Sequence, residues 1–191
     1  MAVKGNSGQI RIISGIYRGR KLPVKDVEGL RPTTDRVRET LFNWLQGHTI
    51  DARILDCFAG AGALGLEALS RHGAELVLVE KDQAVARQLI DNLARLNTQQ
   101  GSVVQADVLA WLKLPPQQGF DLVFIDPPFG KGFAEPAMQL LADGGWLNTD
   151  AWIYVEVEKG LTPATPAHWR LHRELNAGQV QAMLFQYEGQ E

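Results

Sequence analysis

The first fifty residues combine short apolar runs with turn-prone residues. Residues 10–14 and 16–24 alternate apolar and polar side chains around a glycine, which predicts a β-hairpin. After a turn-prone stretch, apolar residues recur at helical spacing from Val37, which predicts a helix of about a dozen residues. We expect Thr33 or Thr34 to cap this helix, because a hydroxyl there can accept a backbone N–H of the first turn.

From residue 53 onward, apolar runs of strand length alternate with amphipathic helical segments. The predicted strands of this part are residues 53–58, 74–80, 102–106, 120–126 and 151–157. The predicted helices are residues 64–72, 83–97, 107–114 and 134–143. Residues 169–175 and 180–188 then form a hairpin around a short Asn-Ala-Gly-Gln loop. Five strand–helix units followed by a hairpin predict a Rossmann-like α/β fold. We expect an open, mainly parallel seven-stranded sheet with one antiparallel strand near an edge and helices on both faces.

Composition supports one globular domain with a sizeable core, since 45% of the 191 residues are hydrophobic and 21% are charged. No run of 18 or more apolar residues occurs, and the first ten residues lack the apolar block of a signal peptide, so we expect a cytoplasmic protein. Cys57 is the only cysteine, and the four histidines form no metal-ligand pattern with it. Since these residues form no ligand set, we expect no metal site. Because no heptad or large apolar stripe marks an interface, we expect a monomer.

Charge is distributed unevenly along the chain. Residues 1–38 hold nine Lys or Arg and three Asp or Glu, a net +6, whereas the remaining residues hold ten and nineteen, a net −9. Such asymmetry predicts a basic arm that contacts a polyanion, with Tyr17 and two glycines among the cations as in segments that fit a phosphate backbone. A solvated leader without a special role remains the alternative. We divide the chain into a basic extension, residues 1–50, and a main domain, residues 51–191.

A glycine-rich turn follows the first strand of the main domain. Gly60, Gly62 and Gly65 give the spacing G-x-G-x-x-G, and Glu80 ends the next strand twenty residues after Gly60. Glycines at such a turn let a nucleotide approach the backbone closely, and a carboxylate at the second strand end can accept both ribose hydroxyls. Dinucleotide-dependent enzymes share this pattern, and a purely structural turn can produce it too. By itself it indicates a candidate nucleotide site.

Asp107 follows the third of these strands and precedes a short helical segment. We expect it to cap that helix, because its carboxylate can accept a backbone N–H of the first turn. A carboxylate at this strand end can also accept a hydrogen bond from an adenine amino group. The two roles are compatible.

The sequence Phe-Ile-Asp-Pro-Pro-Phe, residues 124–129, ends the fourth strand in a carboxylate and two prolines. The lone pair of an exocyclic NH2 on a nucleobase is delocalised into the ring, so that nitrogen is a poor nucleophile. If Asp126 and the carbonyl of Pro127 accept its two hydrogens, the positive charge that develops on nitrogen is stabilised. Pro127 and Pro128 lack N–H groups, so the turn presents acceptors, and Phe129 can stack on the base. A strand simply ended by prolines is the alternative.

With these strand ends combined, the sequence resembles the class I methyltransferases that use S-adenosylmethionine, over residues 53–187. The glycine turn resembles their first motif, Glu80 their ribose-binding acid, Asp107 their adenine-side acid and Asp-Pro-Pro-Phe their amine-methylating motif. The hairpin, residues 31–45 and the chain length are similar to bacterial ribosomal RNA guanine-N2 methyltransferases, most closely those that modify guanine 966 of 16S ribosomal RNA. The resemblance implies S-adenosylmethionine as cofactor and, as partner, 16S ribosomal RNA in the small ribosomal subunit or an assembly intermediate.

The resemblance also implies roles for individual residues. The implied catalytic residues are Asp126, Pro127, Pro128 and Phe129. The implied cofactor-binding residues are Asp56, Phe58, Gly60, Gly62, Leu64, Glu80, Lys81, Asp107, Val108 and Asp126. The candidate RNA-binding residues are Arg18, Arg20, Arg31, Thr33, Thr34, Arg36 and Arg38. An ordinary capped surface helix remains the alternative for those that lie on the predicted helix.

Three classes of function stay open from the residues alone. The first is an amino-group methyltransferase. The Asp-Pro-Pro-Phe motif serves several kinds of amine, so RNAs other than 16S ribosomal RNA, DNA and protein amides stay open as substrates. A nicotinamide-dependent oxidoreductase would share the glycine turn and Glu80 but would leave the proline motif unexplained. A non-catalytic RNA-binding or assembly module would use the basic arm but not Asp126. Cys57 lies in the glycine turn, so we interpret it as a small buried hydrophobe and not as the thiolate nucleophile of a cytosine-C5 methyltransferase.

Overall fold

The computed structural model describes residues 8–25 and 34–189. Its helices are α1 Asp35–Trp44, α2 Ala63–Ser70, α3 Gln83–Arg95, α4 Val108–Trp111 and α5 Ala134–Asp143. Its strands are β1 Gln9–Arg11, β2 Lys21–Pro23, β3 Arg53–Asp56, β4 Glu75–Glu80, β5 Gly101–Gln105, β6 Phe120–Ile125, β7 Leu147–Glu158, β8 Trp169–Ala177 and β9 Val180–Tyr187. Each of these elements overlaps a predicted one, and β7 begins four residues earlier than expected.

A seven-stranded sheet in the order β5-β4-β3-β6-β7-β9-β8 forms the centre of the molecule. Neighbouring strands are parallel as far as β7, whereas β9 is antiparallel to both β7 and β8. The predicted Rossmann-like sheet with one antiparallel strand near an edge is therefore confirmed. The expectation of five strand–helix units is wrong, because the described chain has four. After β7, residues 159–168 include Pro163 and Pro166, which cannot donate helical hydrogen bonds, and this stretch forms no helix.

The side chains of the central strands face two apolar layers. On β3, Ile54 belongs to one buried cluster and Leu55 to the other, because successive side chains of a strand point to opposite faces. Helices α1, α2 and α3 contribute to the first cluster, and α4 and α5 to the second. Both faces are thus covered, which explains the nearly continuous apolar runs of the parallel strands. In the part of the chain that the structure describes, no helix has the length and apolar character needed to cross a membrane.

Helix α1 begins at its predicted N-cap. The hydroxyl of Thr34 accepts the backbone N–H of Val37 at 3.4 Å, whereas Thr33 lies outside the described residues. Val37, Leu41 and Leu45 are all buried in the first apolar cluster. The helical spacing seen in the sequence is therefore the stripe by which α1 packs onto the sheet.

The β1–β2 hairpin packs against the main domain. Ile10 pairs with Leu22 across the hairpin, and both belong to the same buried cluster as Ile54. The segment between the two strands contacts the end of α2. Gly15 there has a φ of +86°, and a Cβ on it would lie 1.9 Å from the carbonyl oxygen of Ser70. Only glycine fits this contact, so the hairpin docks onto α2 in one defined position.

Candidate active site

Acidic residues mark the carboxyl ends of the parallel strands. The strand order reverses at β3, which has β4 on one side and β6 on the other. In open α/β sheets such a switch point opens a crevice in which ligands bind. The acids at the ends of β3, β4, β5, β6 and β7 include Asp56, Glu80, Asp107, Asp126 and Glu156.

The turn after β3 has a backbone geometry that favours glycine. Gly60 and Gly62 have φ values of 52° and 79°, in the left-handed region. A Cβ at Gly62 would lie 2.8 Å from Cδ2 of Leu89, and one at Gly65 would lie 3.0 Å from Oδ2 of Asp56. The glycines therefore permit the sharp turn and the close packing of α2 on the sheet, as in nucleotide-binding turns.

Asp56 is a buried carboxylate at this turn, with 2% of its surface exposed. Its Oδ2 accepts the backbone N–H of Gly65 at 3.0 Å. Burial raises the pKa of Asp56 to about 7; the hydrogen bond from Gly65 opposes this rise, and the charge of Glu80 adds to it. A carboxylate so poorly solvated is stabilised by a cation beside it. The residues at this turn therefore fit the ammonium and sulfonium groups of S-adenosylmethionine.

Glu80 connects the end of β4 to the glycine turn. Its carboxylate accepts the backbone N–H of Gly60 at 2.9 Å and that of Asp82 at 2.9 Å. An ionised carboxylate has about four lone-pair positions. The two hydrogen bonds therefore fix the orientation of Glu80 and still leave capacity to accept ligand hydroxyls.

Asp107 caps α4, as predicted, because its Oδ1 accepts the N–H of Ala110 at 3.1 Å. This hydrogen bond is the largest cause of a lowered pKa of Asp107, partial burial opposes it, and Lys81, 3.4 Å away, lowers the pKa further. Both Asp107 and Lys81 are exposed at the edge of the sheet. Leu64 and Val108, by contrast, are buried and support the site from the core.

The Asp-Pro-Pro-Phe motif directly follows β6. Burial, then the charge of Glu156 and then that of Asp126, raise the pKa of Tyr154, on the neighbouring strand β7, well above its ordinary value. Pro127 is buried and Pro128 is exposed. Both prolines line a cavity of about 360 Å³, so the motif forms one wall of a pocket.

The cavity lies between the ends of β6 and β7 and the start of α5. Its other walls include Phe133, Glu156 and Leu161. Small-molecule pockets have volumes of about 300–1,000 Å³ and combine apolar walls with a few polar groups. The cavity therefore has the size and the kind of lining that a planar base requires, beside Pro127 and Pro128 of the motif.

Aromatic rings connect the cavity to the glycine turn. The ring of Phe133 lies parallel to that of Phe58 within 4°, with the centroids 6.1 Å apart. Phe58 is a predicted cofactor residue in the turn after β3, whereas Phe133 lines the cavity. Phe129, which is predicted to stack on the base, is half-buried. The two halves of the candidate site are thus in contact.

Sequence reasoning missed Phe133 and Glu156. Phe133 lies in a Lys-Gly-Phe loop that has no periodic pattern, and Glu156 lies within an apolar run interpreted only as a strand. The signal that could have found Glu156 is strand pairing. The register of β6 and β7 ends with Ile125 opposite Val155, so Glu156 and Asp126 are each the next residue after that pair.

Cys57 is buried with 1% of its surface exposed. Its backbone N–H donates to the carbonyl of Phe124 at 3.0 Å. Burial raises the pKa of the thiol well above its ordinary value, and the neighbouring charge of Asp56 adds to the effect. The thiolate that nucleophilic attack requires is therefore disfavoured, which supports the interpretation of Cys57 as a small buried hydrophobe.

The described part of the basic arm exposes its cations. Residues 8–25 contain five basic residues and no acid. The exposed basic side chains are Arg11, Arg18, Arg20, Lys21 and Lys25. The guanidinium of Arg20 donates to the backbone carbonyl of Arg95, at the end of α3, at 2.6 Å. This surface has the charge that binding of a polyanion requires.

The candidates on and before α1 differ in exposure. Thr34 and Arg36 are exposed. Arg38 is only 3% exposed, and its guanidinium donates to Asp35 at 2.9 Å. The expectation that Arg38 displays its charge to a phosphate is therefore not met, because helical spacing puts it on the buried stripe with Phe42. Two further candidates lie outside the described residues: Arg31 and Thr33.

Known proteins resemble the chain over nearly its whole length. The family model described as Conserved hypothetical protein 95 matches residues 10–186. The chain is 57% identical over 188 residues to ribosomal RNA small subunit methyltransferase D of Escherichia coli K12. The aligned residues cover 96% of this chain and 93% of that protein. The chain is 48% identical to the protein of the same name from Haemophilus influenzae, with 94% of each chain covered. The solved structure of yhhF from Escherichia coli is 55% identical, with a TM-score of 0.88, and the match covers 96% of this chain and 100% of that one.

Proposed function

The chain belongs to the Conserved hypothetical protein 95 family and is a methyltransferase, and from that premise we propose that it methylates a guanine of 16S ribosomal RNA. The proposed reaction transfers a methyl group from S-adenosylmethionine to the exocyclic N2 amine, and the resemblance noted above favours guanine 966. Relatives 57% and 48% identical to the chain are named ribosomal RNA small subunit methyltransferase D. Those names support an RNA of the small ribosomal subunit as the substrate.

The observation that carries the proposal is the adjacency of the glycine turn and the Asp-Pro-Pro-Phe motif. β3 leads into the turn, β6 leads into the motif, and the two strands pair directly with Asp56 opposite Phe124. Neighbouring strands lie about 4.8 Å apart. Such adjacency suits a methyl donor held over the turn and an amine held at the motif, because the transfer needs the two groups in contact and in line.

The residues of the turn and of the neighbouring strand ends would hold the cofactor. S-adenosylmethionine, when bound, supplies an electrophilic methyl group on a sulfonium. Asp56 would offset the positive charge at the methionine end, beside the ring of Phe58. Glu80 would accept the ribose hydroxyls with the lone pairs that the backbone leaves available, and the exposed carboxylate of Asp107 would accept from the adenine amino group.

Asp126 and Pro127 would act on the amine itself. The carboxylate and the Pro127 carbonyl accept the two N–H hydrogens, which orients the nitrogen and raises its electron density during attack. Positive charge develops on the nitrogen in the transition state, and a fixed carboxylate beside it stabilises that state more than the ground state. Pro128 and Phe129 would confine the base against this turn.

The basic extension, residues 1–50, would bind the RNA around the target base. The exposed cations of the hairpin suit contacts to phosphates, which supply affinity without reading sequence. The base must leave its stack to enter the cavity, at a cost of a few kcal/mol that is smallest in a loop. We propose that the chain acts as a monomer, in the cytoplasm, on the small subunit or an assembly intermediate.

The decisive experiment measures methyl transfer from labelled S-adenosylmethionine to small ribosomal subunits isolated from a strain that lacks this protein. The product nucleoside is identified by mass spectrometry, with Asp126→Ala run in parallel. We expect label in N2-methylguanosine, and its loss in the variant. Label in another nucleoside, or absence of label from subunits, free RNA and DNA despite cofactor binding, would refute the guanine assignment and move the substrate elsewhere.

Calorimetry distinguishes this function from hydride transfer. We expect the protein to bind S-adenosylmethionine and not NAD, because a nicotinamide has no use for the acceptors at Asp126 and Pro127. Tight binding of NAD alone would favour an oxidoreductase and contradict the proposal.

A further inference from the structure

Glu156 lies near the end of β7 and lines the cavity beside Pro127 and Pro128. It is 5% exposed. Burial of a carboxylate is unfavourable unless hydrogen bonds or charges compensate for it, so a glutamate rarely occupies such a place. The methyl transfer described above makes no use of this group, although it faces the same cavity as the motif.

Glu156 and Asp126 each lie one residue beyond the last pair of the β6–β7 register. β6 and β7 are parallel, and their register ends with Ile125 opposite Val155. The next residues of the two segments are Asp126 and Glu156. Residues level on neighbouring parallel strands point to the same face and lie about 4.8 Å apart. Continued by one residue, this register puts the two carboxylates on the same side of the sheet edge, within reach of one ligand.

Tyr154 orients the Glu156 side chain. Its hydroxyl donates to Oε2 of Glu156 at 2.9 Å, and its fully buried ring packs edge-on against Phe124. Burial raises the pKa of Glu156, and the hydrogen bond from Tyr154 opposes that rise. A further donor from a ligand would stabilise the buried carboxylate. The cavity thus suits a ligand that brings an N–H to this position.

Guanine carries such a donor next to the amine that is to be methylated. Its N1–H neighbours the N2 amine, whereas adenine N1 and cytosine N3 are acceptors that a carboxylate repels. We propose that Glu156 accepts the N1–H of the target guanine while Asp126 and the Pro127 carbonyl hold the N2 amine. Glu156 thereby selects guanine over adenine and cytosine. This inference rests on the proposed function and adds to it the residue that determines which base is accepted.

The test changes N1 of the substrate, together with the group at C6, and leaves the N2 amine in place. 2,6-Diaminopurine keeps the N2 amine of guanine, but its N1 is an acceptor. 16S RNA with guanine or 2,6-diaminopurine at the methylated position is reconstituted into small subunits, and kcat/KM for methyl transfer is measured for each. We expect the wild type to prefer guanine by about 100-fold or more, because a site built around a substrate N–H rejects an analogue that lacks it. In Glu156→Gln the side-chain amide can donate to N1, so the preference should fall to about tenfold or less.

Matched variants separate base recognition from other effects. Asp126→Asn should lower transfer to both substrates alike, because both carry the N2 amine. Glu174→Gln makes the same chemical change at an exposed position of β8 and should leave the preference unchanged. Tyr154→Phe keeps the ring but removes the hydroxyl that positions Glu156, so it should lower the preference by a smaller factor. Thermal unfolding and calorimetry with S-adenosylmethionine verify that each variant is folded.

The outcomes distinguish this inference from the function on which it rests. An unchanged guanine preference in both Glu156→Gln and Tyr154→Phe would overturn the inference alone, because a merely structural role affects both substrates equally. Failure of the wild type to methylate either subunit would overturn the proposed function, and the inference with it.

Discussion

The carboxylate of Glu67 accepts the backbone N–H of Ile13 at 2.8 Å, and so joins α2 to the basic hairpin. The same carboxylate accepts the N–H of Ser14 at 3.0 Å and pairs with Arg71 at 2.9 Å. Glu67 is fully buried, so its hydrogen bonds are shielded from competition with water. Glu67 is therefore one of the contacts that fix the hairpin on α2, the helix that begins at the glycine-rich turn.

Replacement of Glu67 by Ala should loosen the hairpin and destabilise the fold. It leaves two backbone N–H groups and the guanidinium of Arg71 without their acceptor, for a loss on the order of 3 kcal/mol. We expect hydrogen exchange to quicken at Ile13 and Ser14 in particular, and methyl transfer to RNA to fall more than affinity for S-adenosylmethionine. Glu39→Ala, at an exposed position of α1, is the control. Equal denaturation midpoints for the two variants would contradict this account.

Gly15 and Gly19 form a matched pair of positions for testing how the hairpin docks. Both have positive φ, +86° and +81°, but a Cβ would meet Ser70 at Gly15 and nothing within 4 Å at Gly19. Gly19→Ala should therefore cost about 1 kcal/mol from backbone strain alone. Gly15→Ala should cost at least twice as much, because the hairpin must also move away from α2. Urea denaturation of both variants measures the difference, and equal losses would show that the contact with Ser70 is unimportant.

The buried carboxyl of Asp56 should make stability depend on pH. Its pKa of about 7 in the folded protein exceeds its ordinary value of 3.8, so folding takes up a proton between these two pH values. The stability contributed by the neutral carboxyl is complete below pH 3.8 and is lost as the pH rises through about 7. Asp56→Asn has no such proton to lose and can still accept the Gly65 N–H.

We therefore expect Asp56→Asn to gain about 2 kcal/mol relative to the wild type between pH 5 and pH 8. Urea denaturation across this range gives the two stability curves. Asp91→Asn, the same change at an exposed position of α3, should run parallel to the wild type. A constant difference between Asp56→Asn and the wild type over the whole range would show that the carboxyl of Asp56 titrates normally.

The sequence alone predicts those features that depend on neighbours along the chain. The period of apolar residues distinguishes helices from strands, and residues such as Asp107 and Asp126 stand out because each directly follows a strand. Glu156 could not be recognised in this way, since its place at the cavity depends on the pairing of β6 and β7. Arg38 is the opposite case, in which the residue type misleads the prediction. Its residue type suggests the surface, but its helical position beside Val37 and its ion pair with Asp35 keep it buried.

Cys57→Ala should retain at least a tenth of the methyl-transfer activity. The thiol is buried, and its raised pKa keeps it protonated, so the substitution removes a small apolar group and no nucleophile. Initial rates with labelled S-adenosylmethionine measure the effect, and calorimetry measures cofactor binding. Abolished turnover with cofactor binding intact would mean that the thiol takes part in the chemistry.

Arg18→Gln should weaken binding of 16S RNA and reduce its dependence on salt. Arg18 is exposed in the segment between β1 and β2, and each cation that neutralises a phosphate adds about 1 to the slope of log affinity against log salt concentration. Affinity for S-adenosylmethionine should not change. Arg170→Gln removes the same charge from β8, which is an edge strand of the sheet. The hairpin lies towards the other edge, where it contacts the ends of α2 and α3. If the hairpin is the RNA-binding arm, only Arg18→Gln lowers the slope; an equal reduction in both variants would mean that the cations act through net charge and not through contacts to the RNA.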